Sequence, residues 1–187
     1  MSPTVHPSAR TRDEAHLFLD LHGCDDCGAT EVAWRSALAE VDGTVTRRYF
    51  GACGDCGRDR EAYFALPERP VTPAPGAPVT FGGDEPSLLL DPGDWLLVAD
   101  ICAQSASSVG DASDGDELAE RRESLTIALA AMDEVLKFVP AGETAVPDAA
   151  FFTERGRTVH RRDPGRFAVN RLRTVRDAYL SALDRLR

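Results

Sequence analysis

The 187-residue chain has no run approaching the ~20 apolar residues that a membrane helix requires, so a spanning segment is not expected. Residues 1–14 are polar and hold no apolar core of the kind a secretory leader carries; a cytoplasmic address is the expectation. There is no phosphate-binding loop, no His-Glu-x-x-His pair and no Gly-x-Ser-x-Gly elbow. The four histidines, His6, His16, His22 and His160, are scattered, and catalysis is not expected. Lysine is nearly missing: the 21 basic residues are 20 arginines and Lys137, a bias matching a GC-rich coding genome. Cysteine is scarce, and five thiols in a reducing compartment do not read as disulfides.

What is present is charge, unevenly spread. The net −10 resolves into −4 over residues 1–66, −12 over 67–150 and +6 over 151–187. An acidic middle followed by a basic end implies either pairing within the chain or a tail that meets an acidic partner.

The fold class read from the pattern is α+β: an N-terminal ribbon with a small antiparallel sheet over residues 14–66, a proline-rich linker over 67–80 and a helical bundle over 81–187. His16 to Leu21 alternates, with Leu17, Leu19 and Leu21 on one side, and predicts a strand. Glu31–Glu40 and Thr44–Phe50 flank Val41-Asp42-Gly43, a hairpin signal because both turn positions tolerate positive φ. Arg58 to Leu66 reads as a closing strand. Prolines 67, 70, 73, 75 and 78 make the linker extended. Asp91-Pro92 opens a helix through Trp95, Leu96, Val98 and Ile101, and Ser105–Gly115 reads as a loop. Asp116–Val139 carries Leu125, Leu129, Met132, Leu136 and Val139 at helical spacing, with Asp133 and Lys137 as an i,i+4 pair. Pro147 is expected to open a short helix through Phe151 and Phe152, and Asp163-Pro164 the last one. Trp95 and the Phe151-Phe152 pair are candidate anchors of an interface between the two parts.

Two knuckles carry the chemistry: Cys24-Asp25-Asp26-Cys27-Gly28 and Cys53-Gly54-Asp55-Cys56-Gly57. Two residues between cysteines let both thiolates meet one ion from a tight turn, and the glycine admits the left-handed backbone that aims amides at sulfur. The pattern resembles the zinc-ribbon fold group. The resemblance implies one zinc held by Cys24, Cys27, Cys53 and Cys56; iron, as in rubredoxins with the same knuckles, is the alternative, and a redox dithiol is a further one. His22 is a candidate substitute ligand. The rest of the chain is similar to uncharacterised bacterial proteins.

Four cysteines close the coordination shell, so the metal is expected to hold shape, supplying folding free energy that so short a ribbon lacks. The function expected is a non-enzymatic protein-interaction module of adaptor, regulator or immunity type whose partner is another protein. The alternatives are a nucleic-acid-associated factor using Arg155, Arg157, Arg161, Arg162 and Arg166, and a rubredoxin-like electron carrier. Asp25, Asp26 and Asp55 repel phosphate from the knuckle tips, and Arg166 and its neighbours have the chain's own acidic middle as a competing partner. Asp100 is a candidate acid for one of those arginines, and Cys102 reads as an inert helix thiol.

Overall fold

The computed structural model of the protein describes residues 6–67, 79–108 and 115–186. These residues form a three-stranded antiparallel sheet and five α-helices, divided between two compact units. The first unit takes 6–67 with 81–83 and 87–89; the second takes 79–80, 84–86, 90–108 and 115–186. The proline-rich linker expected over 67–80 lies largely outside the described residues.

The first unit opens with a helix where the alternating leucines predict a strand. α1 spans Arg12–Asp20. Its start is fixed by Thr11, whose hydroxyl accepts the Glu14 amide at 3.1 Å, satisfying an N-terminal donor that the helix leaves open. The fully buried Glu14 carboxylate turns back to the Arg10 amide at 2.6 Å and to the Arg10 guanidinium at 2.7 and 2.9 Å. Ala15 and Leu19, one turn apart, are buried, while Leu17 and Leu21 are only half-buried. The helical face wins because it delivers two rings to the sheet: His16 meets Tyr49 edge-on at 5.2 Å and Phe18 meets Phe64 edge-on at 5.7 Å.

The sheet is a meander of β1 (Arg35–Val41), β2 (Thr44–Ala52) and β3 (Asp59–Ala65). β1 begins at Arg35 rather than Glu31; before it, Val32 makes an isolated bridge to Cys53. The expected hairpin is present, with Val41 opposite Thr44 and positive φ at both Asp42 (50°) and Gly43 (76°). In the third strand's register Arg48 faces Tyr63 and Phe50 faces Glu61.

The second unit is helical: α2 (Pro92–Ser108), α3 (Gly115–Leu136), α4 (Glu154–Arg162) and α5 (Val169–Asp184). α3 packs against both α2 and α5, and α4 packs against α2. Trp95, Leu96, Val98 and Ala99 of α2 and Ala128, Ala131, Met132 and Val135 of α3 are buried, the spacing of a helical stripe. α2 runs three residues past the expected loop start at Ser105.

The other departures lie late in the chain. Pro147 opens only a 3-10 turn, Asp148–Ala150, and not a helix through Phe151 and Phe152. Phe151 is buried, stacked on His160 at 4.1 Å and edge-on to Phe167 at 4.8 Å, whereas Phe152 stays exposed. The helix comes after the phenylalanines instead: α4 is capped by Thr153, whose hydroxyl accepts the Gly156 amide at 2.8 Å. Asp163-Pro164 opens a second 3-10 turn, Pro164–Phe167, and α5 begins only at Val169. The expected Asp133–Lys137 pair is also redrawn: Lys137 meets Glu134 at 2.6 Å and Asp133 meets Arg176 at 2.5 Å, because burial of Glu134 demands the nearer cation.

One buried carboxylate sets the geometry of this unit. Asp91 Oδ1 accepts the amides of Gly93 (2.9 Å) and Asp94 (3.1 Å), capping α2. Asp94 returns the favour to the Asp91 amide at 3.3 Å, completing a capping box. Asp91 Oδ2 accepts the Thr153 amide (2.8 Å) and hydroxyl (2.9 Å), holding the residue that caps α4. The helix starts touch here: a methyl at Gly156 would lie 1.8 Å from Asp91 Oδ1, and one at Gly93 would lie 2.5 Å from the Gly156 backbone.

Candidate metal centre

Each knuckle is a closed turn built from its own backbone. The Cys24 amide donates to the Ala29 carbonyl (2.7 Å) and the Gly28 amide to the Cys24 carbonyl (2.7 Å). The second turn repeats this: the Cys53 amide donates to Arg58 O (2.8 Å) and the Gly57 amide to Cys53 O (2.9 Å). Gly28 (φ 78°) and Gly57 (φ 73°) take the left-handed conformation that the turn needs and that a side chain resists. The knuckles are also tied to each other. The Gly54 amide donates to Glu31 O at 2.9 Å, Arg58 pairs with Asp26, and the Arg60 guanidinium donates to the carbonyls of His22 and Gly23. Arg60 stacks on Trp34 at 5.2 Å, which fixes its reach. Sequence reasoning singled out neither Arg58 nor Arg60; their only signal is position, one and three residues past a glycine that ends a knuckle.

The four sulfurs of Cys24, Cys27, Cys53 and Cys56 lie within 4.8 Å of one another. Two pairs cross between knuckles, Cys24–Cys56 and Cys27–Cys53, each 3.6 Å apart. Zinc–thiolate bonds of about 2.3 Å in a tetrahedron place sulfurs about 3.8 Å apart, so this constellation can hold a metal ion. All four thiols are free, far from the ~2 Å of a disulfide. Cys24 and Cys53 are buried, and Cys27 and Cys56 are exposed.

Electrostatics show what the sulfur cluster lacks without a cation. The amides of Cys56 and Asp55 pull the Cys53 thiol down to about 7. The Ala29 amide pulls Cys27 the same way, but the proton shared with Cys56 and desolvation outweigh it and push that thiol up to about 12. Cys56 also sits above its usual value: the Arg58 amide and Cys27 favour its thiolate, and desolvation with the Cys24 and Cys53 sulfurs opposes them. Four thiolates this close repel one another, and a bound cation removes that conflict. The donor set, four soft sulfurs with amides aimed at them, fits zinc and iron alike.

His22 is not part of the cluster. Its Nδ1 meets the Phe18 carbonyl at 2.6 Å and its ring stacks on Phe18 at 4.1 Å. Cys102 is half-buried in α2, and desolvation pushes its thiol up, away from nucleophilic use.

Most of the C-terminal arginines singled out for an acidic partner are engaged within the chain. Arg155 meets Asp94 at 2.7 Å, and Arg166 forks onto both oxygens of Asp100 at 2.6 and 2.8 Å. Arg161 meets Glu154 at 3.0 Å, and Arg157 meets the Phe151 carbonyl at 3.3 Å and Glu154 at 3.6 Å. Arg162 is exposed and makes no ion pair among the described residues. Asp94, Asp100 and Asp133 all come from the acidic middle of the chain, so part of its charge is balanced internally.

The chain matches no known protein family, no curated protein and no solved structure. Among the described residues, no helix is long and apolar enough to cross a membrane.

Proposed function

We propose that Cys24, Cys27, Cys53 and Cys56 bind one zinc ion and that the metal folds the first unit as a zinc ribbon. The observation that carries this reading is the pair of 3.6 Å sulfur contacts linking two knuckles of matching backbone geometry. Four protein sulfurs fill a tetrahedral shell and leave no position for water or substrate, so the metal's role is structural. Four reduced thiols on a metal belong to a reducing compartment such as the cytoplasm.

On this reading the protein is a non-enzymatic interaction module of adaptor, regulator or immunity type, and its partner is a protein. The acids left outside the internal pairs include Glu117, Glu120 and Glu123, all exposed near the start of α3. They offer charge to a basic partner. Pairing of Arg155, Arg157, Arg161 and Arg166 with the chain's own groups weighs against the nucleic-acid reading, because phosphate would have to displace carboxylates already in place.

Elemental analysis of the purified native protein, with mass spectrometry of what co-purifies, tests both parts. One zinc per chain and a stoichiometric protein partner support the proposal. Iron with the red colour of a ferric tetrathiolate replaces it with electron transfer. Co-purifying nucleic acid that is lost steeply with salt replaces it with the nucleic-acid factor. Absence of any metal, with four titratable thiols, refutes the ribbon.

A further inference from the structure

α2 and α4 touch at Gly93 and Gly156 and leave a cleft of about 620 Å³ further along, within the range of small-molecule pockets. Its apolar surface comes from Leu97 on α2 and Val159 on α4, and three guanidiniums surround it: Arg155, Arg162 and Arg166. Two of them are fixed in advance. Arg155 is held by Asp94, which is fully buried and itself part of the α2 capping box. Arg166 spends one N–H from each terminal nitrogen on Asp100, leaving three of the five donors a guanidinium carries. The third, Arg162, is exposed and has no ion pair among the described residues.

Two of the three acids of the cleft are already engaged. Both Asp100 oxygens are occupied by Arg166, and Glu154 is engaged by Arg161 and Arg157. Asp163 also lines the cleft, and its charge acts on Arg166, which keeps its fork on Asp100. The cleft therefore presents an apolar floor, unspent guanidinium donors and the unpaired cation of Arg162, with Asp163 as the one lining acid not held by an arginine among the described residues.

We propose that this cleft binds a carboxylate carried on an apolar body. Arg162 meets the carboxylate, Arg166 adds a fixed donor, and Leu97 and Val159 take the body. A free aliphatic acid and the C-terminal residue of a peptide share this chemistry. The inference concerns the second unit and stands apart from the identity of the metal.

The test is an amide-resolved NMR titration of the full, metal-loaded chain with hexanoate, with hexanol, and with N-acetyl-Ala-Leu as free acid and as amide. Saturable shifts at Leu97, Thr158, Val159 and Arg162 with the acids, and not with hexanol or the amide, are expected. Arg162→Gln weakens binding about tenfold, the loss of one charge-assisted contact, and Arg162→Glu abolishes it. Arg162 is exposed, so both variants should keep the remaining spectrum unchanged. The dipeptide acid binding tenfold tighter than hexanoate assigns the site to a chain terminus; equal or weaker binding assigns it to a free acid. Hexanol shifting the same amides equally, no response at about 10 mM acid, or undiminished binding by Arg162→Glu overturns the proposal.

Discussion

Replacing Gly156 with alanine should cost the second unit far more than a single methyl normally does. The added carbon would sit 1.8 Å from Asp91 Oδ1 and 2.3 Å from its carboxyl carbon. Carbon and oxygen come no closer than about 3.3 Å, so carboxylate or helix must move about 1.5 Å. Asp91 is fully buried and accepts four hydrogen bonds, from Gly93, Asp94 and twice from Thr153. A shift of that size ends at least the two Thr153 bonds, worth about 1.5–3 kcal/mol each to a charged acceptor, and weakens a cap worth about 1 kcal/mol. Alanine returns at most about 1 kcal/mol of helix propensity. The net loss expected is about 3 kcal/mol or more. It is measured by urea unfolding of the full chain followed by far-ultraviolet circular dichroism, which reports mainly on the helices of the second unit. Gly115→Ala, where a methyl meets nothing within 4 Å, is the control and should lie within about 0.5 kcal/mol of the parent. A loss below about 1 kcal/mol for Gly156→Ala would mean that the crossing is looser than described and that Asp91 does not join the two helix starts.

Four further outcomes follow from the same contacts. Cys27→Ser should abolish stoichiometric zinc and lower the thermal midpoint of the first unit by at least about 10 °C, a loss of a few kcal/mol in a small unit; calorimetry with and without chelator reads it, and an unchanged midpoint refutes a structural metal. Zinc affinity should rise with pH between 6 and 8, because the raised Cys27 and Cys56 thiols must each surrender a proton; at least about two decades per pH unit are expected, and competition with a chromophoric chelator that shows a flat profile would contradict this. Cys53, at about 7, adds a further proton below neutrality and little above it, so the slope should be steeper at the acid end. Glu14→Ala removes a fully buried carboxylate that accepts three hydrogen bonds from Arg10, an expected cost of about 3 kcal/mol by denaturant unfolding; Asp100→Asn, in a pair about a third exposed, should cost no more than about 1 kcal/mol and less in high salt.

Short-range chemistry was legible in the sequence and long-range capture was not. Asp42-Gly43 dictated its hairpin because Asp and Gly are among the few residue types that accept consecutive positive φ values. The cysteine knuckles were legible for the same reason, with glycine placed where the turn requires it. α1 misled because Leu17, Leu19 and Leu21 alternate, yet Thr11-Arg12-Asp13-Glu14 carries the capping-box spacing, and that local signal outranked a six-residue alternation. α4 is hard to read because Glu154–Arg162 contains almost no apolar residue; its start is capped by Thr153, which is held by a carboxylate 62 positions away. The partners of Arg155, Arg166 and Arg176 lie 61, 66 and 43 residues back along the chain, separations that no local pattern encodes. The sulfur constellation was predictable in membership, whereas the guanidinium braces that align its two turns were not.

The junction at Asp91 also constrains how this chain can diverge. Position 156 tolerates a side chain only where position 91 has given up its carboxylate, and a residue without a hydroxyl at 153 leaves that carboxylate short of a donor. A single substitution at any of the three passes through an unstable intermediate. In related sequences, then, Asp91, Gly93, Thr153 and Gly156 should be inherited or lost together, as a signature written in two places more than sixty residues apart.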